Sequence, residues 1–182
     1  MRALIFLINT TLDGRCDHRD VIADDALHLD ARAQLARVDM ALFGDQTYKL
    51  FAERWPEVAR SGSGTEGEVE FARALAPIQK VAYSDALDTS DWNTSVVRGD
   101  AVAHVRKLRE TEGKGLLLFA SPKLAASLRD ADLIDEYRFV LQPFAAGRGP
   151  ELFAGLRARR GFHLLEATPF PSGAVALRYA RE

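Results

Sequence analysis

The chain has 182 residues, 47% of them hydrophobic, with a formal net charge of -2 and a pI near 6.1. That length and apolar content suffice for one substantial core, and the lack of a basic excess argues against a protein held on nucleic acid by phosphate neutralisation. Cys16 is the only cysteine, which excludes an intramolecular disulfide and a cysteine-rich metal site, and no stretch approaches the roughly 18 uninterrupted apolar residues of a membrane span.

These features predict one cytoplasmic domain over residues 1–182 with neither nucleic acid nor membrane as a partner. Residues 2–9, RALIFLIN, are a near-continuous apolar run of strand length, suited to a strand buried on both faces; no small-residue cleavage pattern follows, so a signal peptide is not expected. Asp13-Gly14 marks a turn. Residues 25–38 place Leu27, Ala31, Leu35 and Val38 at helical spacing. A short strand over 39–44 follows, then a helix from Asp45 to Pro56, and the Gly/Ser-rich residues 59–68 read as a surface loop.

Residues 68–75 predict a short helix, 77–84 a strand, 85–91 a turn and 92–97 another strand. Residues 101–113 read as a helix closed by Gly113, 115–120 as a buried strand, and 121–132 as a helix with Ser121 as N-cap and Pro122 at its first position. Three strand-like pieces end the chain, at 136–143, 163–168 and 173–179. Strands alternating with helices, then consecutive strands, predict an α/β fold whose mostly parallel sheet has an antiparallel edge.

An open α/β sheet binds ligands at the C-terminal ends of its strands, against the N-termini of the helices that follow. Two segments have that form. In LFGDQTYKLF, Gly44 permits close approach and the N–H groups of Gln46, Thr47 and Tyr48 suit a phosphate; in GLLLFASPKLAASL the N–H groups around Ser121 and Lys123 do the same. The basic run Arg157, Arg159 and Arg160 reads as a solvated surface. Cys16, Asp17 and His18 lack further ligands at matching spacing, so no metal is expected. Asp135 and Glu136 read as structural, and Tyr48, Phe51, Trp55 and Trp92 as packing residues.

These segments resemble the dihydrofolate reductase-like family, and within it the reductase domain of bacterial riboflavin biosynthesis. The matching pieces are TLDG at 11–14, LFGDQTY at 42–48, KVAYSDAL at 80–87, GLLLFASPKL at 115–124, DLIDEYRFVLQPFAAGRGPELF at 132–153 and SGAVALRY at 172–179. The resemblance implies a three-layer α/β/α fold and an NADPH-dependent reductase that transfers hydride to a heterocyclic small molecule, as in reduction of 5-amino-6-(5-phosphoribosylamino)uracil. It further implies a homodimer. By resemblance, the cofactor would contact Gly44, Asp45, Gln46 and Thr47, then Ser84 and Asp85, then Ala120, Ser121, Pro122, Lys123 and Leu124. The TLDG loop would border the nicotinamide, with substrate entering between that loop and the helix at 25–38.

Two departures from the family are electrostatic. Asp45 stands where relatives usually carry arginine after the glycine, and Asp85 follows the serine where a basic residue is common. Arginines there would pair with the 2'-phosphate of NADPH, whereas aspartate suits the free ribose hydroxyls of NADH. The competing reading of Asp45 is a helix N-cap, worth about 1 kcal/mol. Ala120 replaces a common glycine.

For the catalytic group the candidates are Asp13, Asp17 and Asp25; counting back from Gly44 at the spacing of dihydrofolate reductase reaches His28 rather than an acid. Asp25 and Asp30 also suit helix-start electrostatics and a solvated face. The 182 residues carry no separate deaminase segment and no evident ribose-phosphate set, which favours a different heterocyclic substrate. The alternative readings are a non-catalytic nucleotide- or pteridine-binding protein and a folate reductase.

Overall fold

The structure is a computed structural model that describes residues 1–88 and 91–182; the turn expected over 85–91 therefore lies partly outside the described residues. Eight strands form one sheet: β1 Leu4–Thr11, β2 Val38–Gly44, β3 Gln79–Tyr83, β4 Thr94–Val97, β5 Gly115–Phe119, β6 Glu136–Gln142, β7 Phe162–Pro169 and β8 Val175–Arg181. Their order is β4-β3-β2-β5-β1-β6-β8-β7. All neighbours up to β6 are parallel, while β8 runs antiparallel to both β6 and β7.

Five helices cover the sheet: α1 Asp25–Leu35, α2 Asp45–Ser61, α3 Glu66–Leu75, α4 Ala101–Glu110 and α5 Pro122–Asp130. The two-residue period of the strands divides the core. Ile5, Leu7, Ala41, Phe43, Leu117 and Phe119 pack beneath α1, α2 and α3. On the other face Phe6, Ile8, Leu42, Leu116 and Leu118 meet Val105 of α4 and Ala125 and Leu128 of α5. Burial on both faces explains why β1 reads as an unbroken apolar run. The three-layer α/β/α architecture with antiparallel C-terminal strands is the expected one.

Several boundaries differ from the sequence expectation. Pro56 does not end α2, which continues to Ser61 and stops on Gly62 in the left-handed region at φ 70°. A mid-helix proline costs about 3 kcal/mol; here Trp55 and Val58, both buried, hold the helix on the core through that defect. The loop over 59–68 shrinks because Thr65 caps α3, with its side chain on the Glu68 amide and the Glu68 side chain on its own. Gly113 lies beyond the end of α4, and β4 starts two residues late because Trp92 and Asn93 have positive φ.

The polar interior is mostly structural. Lys80, fully buried, donates to the carbonyls of Leu75, Ala76 and Ile78 at 2.9, 2.9 and 2.6 Å and lies 4.4 Å from the Trp92 ring centre. It closes the C-terminal end of α3, and Trp92 is a packing residue as expected.

Candidate functional site

The C-terminal ends of β2, β3 and β5 lie side by side, and the sequence-singled turns meet there. The amide of Gly44 donates to Ser121 Oγ at 2.8 Å, and that hydroxyl donates to Thr47 Oγ1 at 2.9 Å. A Cβ at Gly44 would come within 3.0 Å of Ser121 Oγ and 3.1 Å of its Cβ, so a side chain there would push the Ser121 side chain away by a few tenths of an ångström and loosen the contact between the two turns. Ala120 and Ser121 are both left-handed, at φ 44° and 59°. This aims the start of α5 at the start of α2.

Ser121 occupies the N-cap position but makes no capping bond, contrary to expectation, because its hydroxyl is spent on the Gly44 turn. Gly44, the N-cap of α2, has no side chain to offer. The other three helices are capped by side chains: Asp24 accepts from Leu27, Thr65 from Glu68 and Asp100 from Ala103. Two helix starts without side-chain caps therefore converge at one point of the sheet, with amide donors available to an anion, although the dipole end of α2 is shared with the Asp45 carboxylate at its first residue. Gln46 and Lys123 are exposed beside them, Pro122 takes the first position of α5, and Leu124 packs inward.

Asp45 is the first residue of α2 rather than its cap. Its Oδ2 accepts from Lys49 Nζ at 2.8 Å and from Gln46 at 3.1 Å, and its Oδ1 accepts from Ser84 Oγ at 2.6 Å. The Lys49 and Ser84 bonds hold the carboxyl below its usual range, so it is charged at neutral pH. Asp45 thus leans toward β3, away from the Gly44–Ser121 contact. Ser84 is buried and also accepts from the amides of Ala86 and Leu87; Asp85 is exposed and accepts from Gly99 at 3.2 Å. Two carboxylates consequently flank the β3 end of the cradle.

The carboxylates expected to act in catalysis are not gathered at one point. Asp13 straps the TLDG turn to the segment after β6, accepting from Thr11 Oγ1 at 2.5 Å and from the amides of Ala146 and Gly147 at 3.0 and 2.8 Å. Those bonds bring its pKa down to about 2. Asp17 accepts from the side chain and amide of Arg19, which hold it far below the usual range. Asp25 bonds Thr65 Oγ1 and the Gly67 amide, tying α1 to α3. Asp30 pairs with Arg138, which is 2% exposed, beneath α1. His28 packs against Trp55 and Phe71, and its burial lowers its pKa while nearby Glu68 opposes the shift.

The family model of the RibD C-terminal domain matches residues 2–176. The chain belongs to that family. A Bacillus subtilis protein named uncharacterized protein YyaP is 22% identical over 181 residues, covering 98% of this chain and 94% of that protein. The Thermotoga maritima diaminohydroxyphosphoribosylaminopyrimidine deaminase/5-amino-6-(5-phosphoribosylamino)uracil reductase superposes with a TM-score of 0.68 at 16% identity, over all of this chain but 57% of its own. Dihydrofolate reductase from Enterococcus faecalis, complexed with NADP(H), superposes with a TM-score of 0.63 at 9% identity, covering 99% and 96% of the two chains. These likenesses establish the fold.

The glycines of the 132–153 segment acquire a structural reason. Gly147 and Gly149, at φ 69° and 97°, let the segment after β6 fold back on the TLDG turn, where Leu12 donates to Phe144 and Leu152 to Gly14. The turn after β1 and the segment after β6 are therefore clamped together into one wall at the C-terminal ends of those strands. Sequence reasoning passed over two residues in that wall, Asn9 and Gln142, whose side chains bond each other at 3.1 Å. The signal available was a polar amide ending an otherwise apolar strand. Among the described residues no group of three or more His, Cys, Asp or Glu is placed to hold a metal, and no helix is long and apolar enough to cross a membrane.

Proposed function

We propose that the protein is a nicotinamide-dependent reductase acting on a heterocyclic small molecule, and that it favours NADH over NADPH. The observation that carries the reading is the convergence of two uncapped helix starts across the Gly44–Ser121 contact, with a charged carboxylate on the β3 side. The pyrophosphate of a dinucleotide fits the first feature. Asp45 fits free ribose hydroxyls, which it accepts from, and opposes a 2'-phosphate carrying about -1.5 to -2 charges.

The nicotinamide would supply hydride. The chain supplies the cradle and the clamped wall formed by the TLDG turn, which hold the reactants together. Asp13 and Asp17 are kept ionised by their hydrogen bonds and are poor proton donors, and Asp25 is committed to α3; the proton then comes from water. Family membership supports a substrate of the aminopyrimidine type. Folate reduction is disfavoured, since the first helix presents buried His28 in place of a free acid. A cytoplasmic location is consistent with the lone cysteine, and a homodimer with β7, an edge strand exposing Leu164 and Leu165.

The test is titration with NADH and NADPH, read by melting temperature and tryptophan fluorescence. The expected result is stabilisation by both, with NADH at least ten-fold tighter. Ten-fold tighter NADPH would overturn the preference. No response to either at millimolar concentration would overturn the enzyme reading in favour of a non-catalytic binding protein.

A further inference from the structure

Asn9 carries a donor that the cofactor cradle does not use. It follows Ile5 and Leu7 along β1 on the sheet face turned to α1, and Gln142 follows Val140 on the same face of β6, where Val140 packs with Leu27 of α1. Gln142 is fully buried. Its Oε1 accepts from the backbone amide of Ile22 at 3.0 Å, and its Nε2 donates to Asn9 Oδ1 at 3.1 Å.

A backbone N–H can only donate, so Gln142 must turn its oxygen to Ile22 and its nitrogen to Asn9. Asn9 must in turn give its oxygen to Gln142. The polarity of both amides is thus set by one main-chain group 13 residues along from Asn9, in the loop before α1. Asn9 Nδ2 remains, with two N–H groups and no partner among the described residues, on a half-buried side chain two residues before the C-terminal end of β1.

We infer that Asn9 is a substrate-specificity residue whose Nδ2 donates to an acceptor atom of a neutral heterocycle, such as a ring carbonyl of a pyrimidinedione, and that Gln142 is the positioning residue that fixes this polarity. The inference rests on the reductase reading and deepens it by naming the edge of the substrate that is read. A carboxylate at this point would select the opposite edge, one rich in donors. A site built to donate rejects a ligand that presents donors in return, because both groups then lose their partners.

The test uses a matched pair of probes, 5,6-diaminouracil and tetraaminopyrimidine, which replaces both carbonyls by amino groups. Each is titrated calorimetrically into the full chain with and without saturating NADH. The wild type is expected to bind the uracil at least ten-fold more tightly. Asn9→Asp keeps the acceptor that Gln142 needs and exchanges the donor for an acceptor, so it should reverse the preference while leaving NADH affinity unchanged. Gln142→Leu should weaken the discrimination several-fold, with NADH affinity again unchanged.

Equal affinity of the wild type for the two probes, no binding of either, or an unchanged ratio in Asn9→Asp would each overturn the inference. Loss of the reductase reading shows separately, as absence of any cofactor response, and the titrations without NADH still judge Asn9.

Discussion

The two edges of the sheet handle their polar groups in opposite ways. At the N-terminal edge the charges close on one another: Arg109, 7% exposed, donates to the Leu133 carbonyl at 2.7 Å and to both oxygens of Asp135 at 2.9 and 2.7 Å, and Asp135 accepts from the Leu4 amide. Arg2 pairs with Asp39 and bonds the Lys114 carbonyl. At the C-terminal edge two helix starts have no side-chain cap, and the Asn9 side-chain amide keeps two N–H donors without a partner among the described residues. One edge has satisfied its donors internally and serves stability; the other holds donors in reserve for a ligand.

The sharpest way to break this contrast is Arg109→Met. It removes the bonds of Arg109 to Asp135 and to the Leu133 carbonyl, while Asp135, partly exposed, keeps the Leu4 amide and Arg181 at 3.6 Å; the cost expected is that of charge-assisted hydrogen bonds, about 1.5 to 3 kcal/mol. Chemical denaturation should show a loss of that size. Cofactor affinity of the folded fraction should be unchanged, because the lesion lies at the far edge; a matching loss of affinity would mean that the two edges are not separate in function.

Much of this division was legible in the sequence. Gly44, Asp45 and Ser121 could be placed near one another because each follows an apolar strand, and strand ends in a parallel sheet share one edge; Ser84 was placed there by family resemblance. The Thr65–Glu68 capping box was also readable, and its neglect made the 59–68 loop too long. Other features were not local. Ser121 reads as a helix cap until the fold brings Gly44 to it, 77 residues away, and the Asn9–Gln142 bond joins residues 133 apart. Pro56 stays helical because of what Trp55 and Val58 bury, a tertiary effect that overrides a strong local rule.

A smaller effect is expected within the open edge itself. Asp45→Arg replaces the charge beside Ser84 with one that pairs with a 2'-phosphate, and a unit pair about 4 Å apart is worth on the order of 1 to 4 kcal/mol from water to surface dielectric. The ratio of NADPH to NADH affinity should rise about ten-fold or more, while the melting temperature of the free protein falls modestly, because the Ser84 and Lys49 bonds are lost and a positive charge stands at a helix start. An unchanged ratio would place the ribose away from β3. High salt should shrink the change, since the site is open to solvent.

The smallest effect separates the clamped wall from the cradle. The Asp13 carboxyl has its pKa lowered from 3.8 to about 2 by the Thr11 hydroxyl and the Ala146 and Gly147 amides. A carboxyl lowered on folding contributes stability that is present above about pH 4 and is lost as the pH falls through about 2. The amides of Ala146 and Gly147 should therefore be protected from hydrogen exchange at pH 6 and lose that protection across this acid window. Asp13→Asn keeps one acceptor and loses the charge, so exchange at those two amides should quicken about ten-fold at pH 6, and their protection, taken against the intrinsic exchange rate at each pH, should no longer change between pH 4 and 2. Cofactor affinity should change little, because the phosphate cradle stays intact: the bonds of Asp13 run to the β1 and β6 ends and none reaches Gly44 or Ser121. If the variant instead weakened NADH as strongly as Asp45→Arg alters its preference, wall and cradle would be one cooperative unit, and the division of the open edge into a cofactor half and a substrate half would fail.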